Sequence, residues 1–323
     1  MRAYVGTNDG LFEIDLDAAA PKAGPVGGFR GQEVTALTGD RDGERVWAVT
    51  DGRTVRLEEA AGSWLEVARS DRDDLTCLLA SSVGLLAGTD EAHLLRLDGD
   101  RLVPLDAFEQ VRGRNRWYTP WGGPPAVRSL CEDLAGRLHV NVHVGGIPRS
   151  LDGGGSWEPT IDIDADVHQV LAHPARPDVV LAAAAVGLVW SQDGGGRWRT
   201  EVEGLHAAYA RALAVTLHDN GGAGEQDLET VLLSVSTGPG GRRAAVYRAP
   251  LADAPGGRLR FARCRRGLPE WFSGNVDTGC LAASGSSAVL GTADGTLYAS
   301  GDAGGTWREV ASGLPPVRAV VFA

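Results

Sequence analysis

Short apolar runs recur along the chain at a spacing too tight for helices. Seven of them open with an apolar residue followed by a polar or charged one: Val34-Thr35-Ala36-Leu37, Leu75-Thr76-Cys77-Leu78, Val127-Arg128-Ser129-Leu130, Val167-His168-Gln169-Val170, Ala210-Arg211-Ala212-Leu213, Val276-Asp277-Thr278-Gly279 and Val317-Arg318-Ala319-Val320. Six are followed, after a turn, by a second apolar run that ends in small residues, such as Val46-Trp47-Ala48-Val49 or Leu85-Leu86-Ala87-Gly88. Runs of this length, rich in β-branched residues and bounded by Gly, Asp and Pro, are strands. The seventh partner is missing after Arg318 but stands at the other end of the chain, as Arg2-Ala3-Tyr4-Val5-Gly6-Thr7. The pattern predicts an all-β chain, a seven-bladed β-propeller with four-stranded antiparallel blades and strands A to D in each. The ring is closed by the C-terminal strand A pairing with the N-terminal strands, which leaves no open edge between first and last blades.

A second landmark supports this. The segments Ser150-Leu151-Asp152-Gly153-Gly154-Gly155-Ser156-Trp157, Ser191-Gln192-Asp193-Gly194-Gly195-Gly196-Arg197-Trp198 and Ser300-Gly301-Asp302-Ala303-Gly304-Gly305-Thr306-Trp307 share one spacing, and Glu59 to Trp64 carries a decayed copy. From Trp157 to Trp198 is one four-stranded blade, about 40–45 residues. From Trp198 to Trp307 fits two blades and an insertion. The glycines suit a tight turn, the Asp can accept backbone N–H groups, and the Trp can plug between strands, so these segments belong in C–D hairpins. The whole chain, 1–323, reads as one propeller domain with insertions at about 111–125 and 220–227.

The Ser-x-Asp-x-Gly-x-(Ser/Thr)-Trp spacing resembles the Asp-box, or BNR repeat, of sialidases, sortilin-type receptors and photosystem II assembly propellers. The stretch from Asp166 to Trp198 is similar to sialidase-like propellers of a branch without an assigned function. The resemblance implies the propeller fold. Sialidases of this superfamily add an arginine triad, an acidic residue and a Tyr/Glu nucleophile pair on six blades, with an Arg-Ile-Pro motif near the N-terminus. This chain counts seven blades, and its nearest match to the motif is Gly146-Ile147-Pro148-Arg149. A true sialidase is therefore not expected.

Composition narrows the setting. The net charge of −11 argues against nonspecific nucleic-acid binding. Four cysteines, Cys77, Cys131, Cys264 and Cys280, lie far apart, so buried free thiols are expected rather than a disulfide framework or zinc cluster. The chain opens directly on a strand pattern and contains no long apolar run, so neither a signal peptide nor a membrane contact is expected and a cytoplasmic location follows.

Candidate chemistry gathers on one face. D–A and B–C connections surround one mouth of the central channel, and A–B and C–D turns occupy the other. The second residues of the seven A strands form a quasi-ring: Thr35, Thr76, Arg128, His168, Arg211, Asp277 and Arg318. The B–C loops add His143 and Ser236. The D–A segments add Trp117, Tyr118, Trp121, Asp166, His206, Tyr209, Trp271 and Asn275. Arg128, Arg211 and Arg318 can bind a carboxylate or phosphate through guanidinium forks, or can pair with Asp277 and Asp166 around the channel. Trp117 and Trp121 can wall a ligand or pack an insertion. Asp277, Tyr209 and His168 are the candidates for acid–base work on a sugar-like substrate. No cofactor is required. A divalent metal is the exception to weigh, through His143, His168 and His206 with Asp166, although these sit on separate blades without ligand spacing. His139 and His143 share a strand face but stand ~13 Å apart, too far for one ion.

The reading that follows is a propeller binding a small anionic or sugar-like ligand in its axial pocket, with Arg128, Arg211, Arg318, His143, Trp117, Trp121, Ser236 and Asn275 as its contacts. A glycoside hydrolase-like or lyase-like enzyme using the same pocket, and a scaffold for a protein partner, are the alternatives.

Overall fold

A computed structural model of the chain describes residues 1–43, 45–60, 62–218, 228–251 and 258–323. The described residues form seven four-stranded antiparallel sheets. Blade I joins both ends of the chain: Val317–Phe322 is its innermost strand, followed outward by Arg2–Thr7, Gly10–Asp15 and Gly24–Pro25. The closing pair runs antiparallel with Val5 opposite Val320 and Tyr4 opposite Val321. The other innermost strands are Val34–Gly39 (blade II), Leu75–Ser81 (III), Val127–Glu132 (IV), Val167–Ala172 (V), Tyr209–His218 (VI) and Leu281–Ser284 (VII). The ring closure and blade count are those the sequence predicts. No helix among the described residues is long and apolar enough to cross a membrane.

One strand starts later than its sequence suggests. The run from Val276 to Gly279 does not open blade VII. It forms a turn in which Cys280 N–H donates to the Asp277 carbonyl (2.9 Å), and the strand begins at Leu281. Gly279, at φ +78°, takes a left-handed conformation that a strand does not tolerate.

The three Ser-x-Asp-x-Gly segments lie in the C–D hairpins of blades IV, V and VII. In each, the Asp accepts the backbone N–H four residues on: Asp152 from Ser156, Asp193 from Arg197, Asp302 from Thr306, all at 2.8 Å. The Ser hydroxyl accepts the glycine N–H four residues on, as Ser150 does from Gly154 (2.8 Å). Trp157 then meets Phe108 edge-on at 5.1 Å, and Trp307 is buried. These segments fasten the blades and stand on the face away from the D–A loops. A short 3-10 turn, Phe108–Gln110, stands just before the first insertion and a second, Arg114–Arg116, lies within it, and both lead into the D–A segment before blade IV. The insertion expected at about 220–227 lies outside the described residues.

Blade contacts near the axis depend on missing side chains. A Cβ on Gly88, in strand B of blade III, would meet Val127 Cγ1 at 2.3 Å and Cys77 Sγ at 2.7 Å. A Cβ on Gly291 would meet Val317 Cγ1 at 2.4 Å. Each glycine makes a seat for the first valine of the next strand A, and that valine precedes a ring residue, Arg128 or Arg318. Neither seat can widen without parting two blades. Gly88→Ala should therefore cost about 1–3 kcal/mol in denaturant unfolding, whereas Gly24→Ala, where no atom lies within 4 Å of the added Cβ, should be near neutral. Combining Gly88→Ala with Val127→Ala should cost less than the sum of the two single changes.

Candidate functional site

The quasi-ring has a backbone cause. In five blades the pairing of strand A with strand B skips one residue, and the skipped residues are Thr35, Thr76, Arg128, His168 and Arg318. In blade VI the skip covers Arg211 and Ala212. A bulge inserts a residue without a ladder partner and re-aims its side chain. Here it takes that side chain out of the in–out alternation of the strand. Polar side chains fill the gaps the bulges leave: Ser129 Oγ accepts Val170 N–H (2.8 Å), and the Gln169 amide both donates to the Leu213 carbonyl and accepts its N–H (3.1 Å each).

The mouth holds two adjoining cavities of about 530 Å³ and 350 Å³ that share Asp90, Ala126 and Arg128. Their walls divide by charge. Glu33, Asp51, Asp74 and Asp90, from blades II and III, form an acidic rim. Arg128, Arg211 and His143 lie toward blades IV to VI, under Trp121. The acidic rim is a set of residues that strand reading alone passes over. The repeat carries a signal for it: an acid precedes strand A at Glu33, Asp74 and Asp166, and the B–C loops place Asp51 and Asp90 at matching positions. The N–H groups of Asp51, Asp90, His143 and Ala185 donate to the carbonyls of Glu33, Asp74, Ala126 and Asp166 (2.8, 3.0, 2.8 and 3.0 Å). His143 thus occupies the position of an aspartate. In blades II and III that aspartate spends its Oδ1 on the N–H of Glu33 or Asp74 (3.0 Å each).

The three arginines differ. Arg211 grips Asp277 Oδ1 through Nε and Nη2 (2.8 and 2.5 Å) and donates from Nη1 to the Tyr209 hydroxyl (3.3 Å). Burial pulls the Arg211 pKa down, and the Asp277 carboxylate more than offsets that, leaving it raised. Arg318 pairs with Glu33 (Nε to Oε1, 2.9 Å) with about half of its side chain in solvent. Arg128 is partly buried in both cavities and has no hydrogen bond or ion pair among the described residues. Burial first, and the neighbouring Arg211 charge second, lower its pKa.

Two histidines converge on Asp166. His143 Nε2 stands 3.1 Å from Asp166 Oδ1, and His168 Nε2 stands 3.7 Å from Oδ2. His168 is fully buried and fixed by Nδ1, which donates to the Ala210 carbonyl (2.5 Å). Burial lowers the His168 pKa against the opposing pull of Asp166, and Arg211 lowers it further. Burial would raise the Asp166 pKa, but the two imidazoles outweigh it and hold the carboxyl well below the usual range. Asp166 (φ +47°) and Val144 (φ +44°), next to His143, both have left-handed backbones, a conformation that Asp visits and that is rare for a β-branched residue such as Val.

The remaining candidates separate. Tyr209 packs its ring on His168 at 4.7 Å, so Asp277, Tyr209 and His168 form one connected group through Arg211. Trp121 is 72% exposed and lies 4.9 Å over the His143 ring. Trp117 does not wall either axial cavity. It is buried against Phe108 (5.7 Å) with Arg114 over its face (4.8 Å), because the insertion needs a core of its own. Asn275 lines the mouth and donates to the Pro239 carbonyl (3.2 Å). Ser236 is spent on its own turn, bonding Gly238 through both donor and acceptor (2.9 and 3.3 Å). His206 does not join the other histidines. Its Nδ1 meets the Tyr247 hydroxyl (2.7 Å), and its ring packs on Trp271.

No protein-family model matches the chain, and no curated protein matches it in sequence. Solved structures do resemble it. A Bacteroides uniformis protein provisionally named a 6-phosphogluconolactonase superposes with a TM-score of 0.67 at 13% identity, covering 100% of this chain and 99% of that one. YCF48 from Cyanidioschyzon merolae gives 0.55 at 14% identity, covering 87% of each chain. The GH74 xyloglucanase from Xanthomonas campestris gives 0.55 at 15% identity, covering 96% of this chain and 46% of that one. At such identities the likeness establishes the propeller architecture alone.

The Arg211–Asp277 pair sets a pH dependence. Burial raises the Asp277 pKa, Arg211 lowers it by more, and the net folded value lies below the ordinary carboxylate value. Its stabilisation is therefore complete above the unfolded pKa of about 3.9 and disappears as pH falls through the lower folded pKa. Unfolding midpoints of the parent and Asp277→Asn should differ most near neutral pH and converge as pH falls below the unfolded pKa of about 3.9. The gap should be modest, because about half of the Asp277 side chain is solvent-exposed.

Proposed function

We propose that the axial mouth binds a small hydroxylated anion, with its carboxylate or phosphate on Arg128 and its hydroxyl groups toward Asp51, Asp74 and Asp90. The observation that carries this reading is Arg128, a partly desolvated guanidinium that makes no hydrogen bond or ion pair among the described residues. A charged donor in that state is most stable when a ligand supplies the anion. The rim opposite it accepts hydrogen bonds, which suits hydroxyl donors better than a second anion. Trp121, exposed above His143, offers a flat apolar face to a sugar-like ring. The four cysteines are unpaired and buried, which supports a cytoplasmic setting, and the overall negative charge supports a small ligand over nucleic acid.

A second reading, catalysis in the same pocket, is favoured by one feature. Arg211 ties Asp277 to Tyr209, and the Tyr209 ring packs at a tilt on His168, so three groups able to move protons lie in contiguous order beside the anion position.

A thermal-shift and calorimetric screen of sugar acids, sugar phosphates and their neutral parents separates these readings. Anionic members should stabilise the protein and neutral parents should not. Arg128→Ala should weaken the best anion by about 10–100-fold, the worth of one charge-assisted contact. Equal binding by the variant would dismiss the assignment. Turnover of a bound anion, lost in Asp277→Asn with its affinity retained, would establish the catalytic reading.

A further inference from the structure

We infer that His143, Asp166 and His168 form a site for one divalent transition-metal ion of the zinc type, open on the side that faces Arg128. One ligand atom from each residue lies within 4.8 Å of the other two, and among the described residues no other group of three such side chains does so. A tetrahedral ion with bonds of ~2.0–2.1 Å holds its ligands ~3.3–3.4 Å apart. Each imidazole meets its own carboxylate oxygen near that distance, His143 Nε2 at 3.1 Å from Oδ1 and His168 Nε2 at 3.7 Å from Oδ2.

The hydrogen-bond inventory around His168 points to a cation. Its Nδ1 carries the hydrogen, because the Ala210 carbonyl accepts it. Nε2 is then a bare lone pair, fully buried, with no hydrogen-bond partner. Facing it is Asp166 Oδ2, another acceptor. Asp166 Oδ1 is likewise buried without an aligned donor, although His143 Nε2 is close in distance. Two acceptors held toward each other in a buried site repel unless a positive centre lies between them. A backbone carbonyl on the far nitrogen is also the arrangement that fixes a metal-binding imidazole in the correct tautomer.

The backbone agrees. Asp166 and Val144 hold left-handed conformations beside two of the three ligands, and such strain persists where the surrounding structure enforces it. Two imidazoles and one carboxylate suit zinc, cobalt, nickel or iron(II) rather than calcium or magnesium, which prefer all-oxygen shells. Three protein ligands leave a coordination position free. His143 and Arg128 line the same 350 Å³ cavity, so an anion held by Arg128 is within reach of that position. His143 would present Nε2 as a lone pair, with its hydrogen on Nδ1. The site itself does not depend on the anion reading, since Arg128 is not a ligand.

The test is a titration of metal-stripped protein with Zn²⁺ by calorimetry and with Co²⁺ by visible absorption. One ion per chain is expected, with X-ray absorption of the zinc form showing two imidazole nitrogens. Asp166→Asn keeps a residue that accepts the left-handed backbone. It and His143→Gln should each weaken Zn²⁺ by more than the about 100-fold that loss of an outer partner can reach. Arg128→Ala and His93→Gln should leave the ion in place. Near-UV circular dichroism certifies the fold of each variant, and the absorption spectrum of the parent decides the matter if a variant does not fold. Absence of stoichiometric Zn²⁺ binding by the folded parent, a shell without two imidazoles, or affinity unchanged in both ligand variants would overturn the assignment. Loss of metal in the ligand variants with anion binding intact, or the reverse in Arg128→Ala, would show which of the two sites stands.

Discussion

Crowding at the axis governs this molecule. Seven innermost strands converge on one channel, and adjacent blades approach so closely that a single methyl group on Gly88 or Gly291 would overlap the valine of the next blade. The mouth opens above this crowding, and the chain presents side chains there by inserting one residue into strand A. Valine seats, bulge and ring residue are consecutive parts of one device: the glycine admits Val127, Val127 fixes the start of the strand, and the bulge re-aims Arg128. The same scaffold operation delivers a threonine in blades II and III and a histidine in blade V, so chemistry varies while the backbone solution is kept.

Differences between blades therefore carry the function. In blades II and III the B–C aspartate is consumed by a backbone N–H, and the acid before strand A faces the mouth. In blade IV a histidine replaces the aspartate and reaches the acid of blade V. Arg211 is neutralised by Asp277 while Arg128 makes no ion pair among the described residues, although both arise from equivalent positions. The result is a mouth with an acidic side, a cationic side and a buried imidazole–carboxylate cluster between them and the channel wall.

Much of the architecture was legible in the chain. Period-two apolar runs, the Ser-x-Asp-x-Gly turns and the orphan strand at Arg2–Thr7 define seven blades and their closure, because these are local patterns repeated at one length. The ring was legible for the same reason. The start of blade VII was misread because Val276-Asp277-Thr278 resembles the other openings, and only Gly279 marks the turn. Trp117 and Trp121 lie four residues apart in one insertion and are chemically alike, yet one is a core plug and the other an exposed platform. That distinction depends on Phe108, which packs on Trp117, and on His143, which lies under Trp121, contacts made only in three dimensions. The sequence already grouped His143 and His168 with Asp166, but also His206, which packs elsewhere; the distances stayed out of reach because one histidine and the acid arrive from neighbouring blades, through loops whose register no pairwise spacing encodes.

The pairing of Val5 with Val320 has a consequence for how the molecule is made. On a ribosome Arg2–Thr7 emerges long before Val317–Phe322, the strand that shields its inner edge. For most of translation blade I is an incomplete sheet with unsatisfied backbone groups, a template for any other extended segment nearby. Its completion also requires a contact across nearly the full length of the chain, the kind of contact that slows folding most. The newborn protein is thus exposed to misassembly at Arg2–Thr7, and is released from that hazard only when Val317–Phe322 arrives.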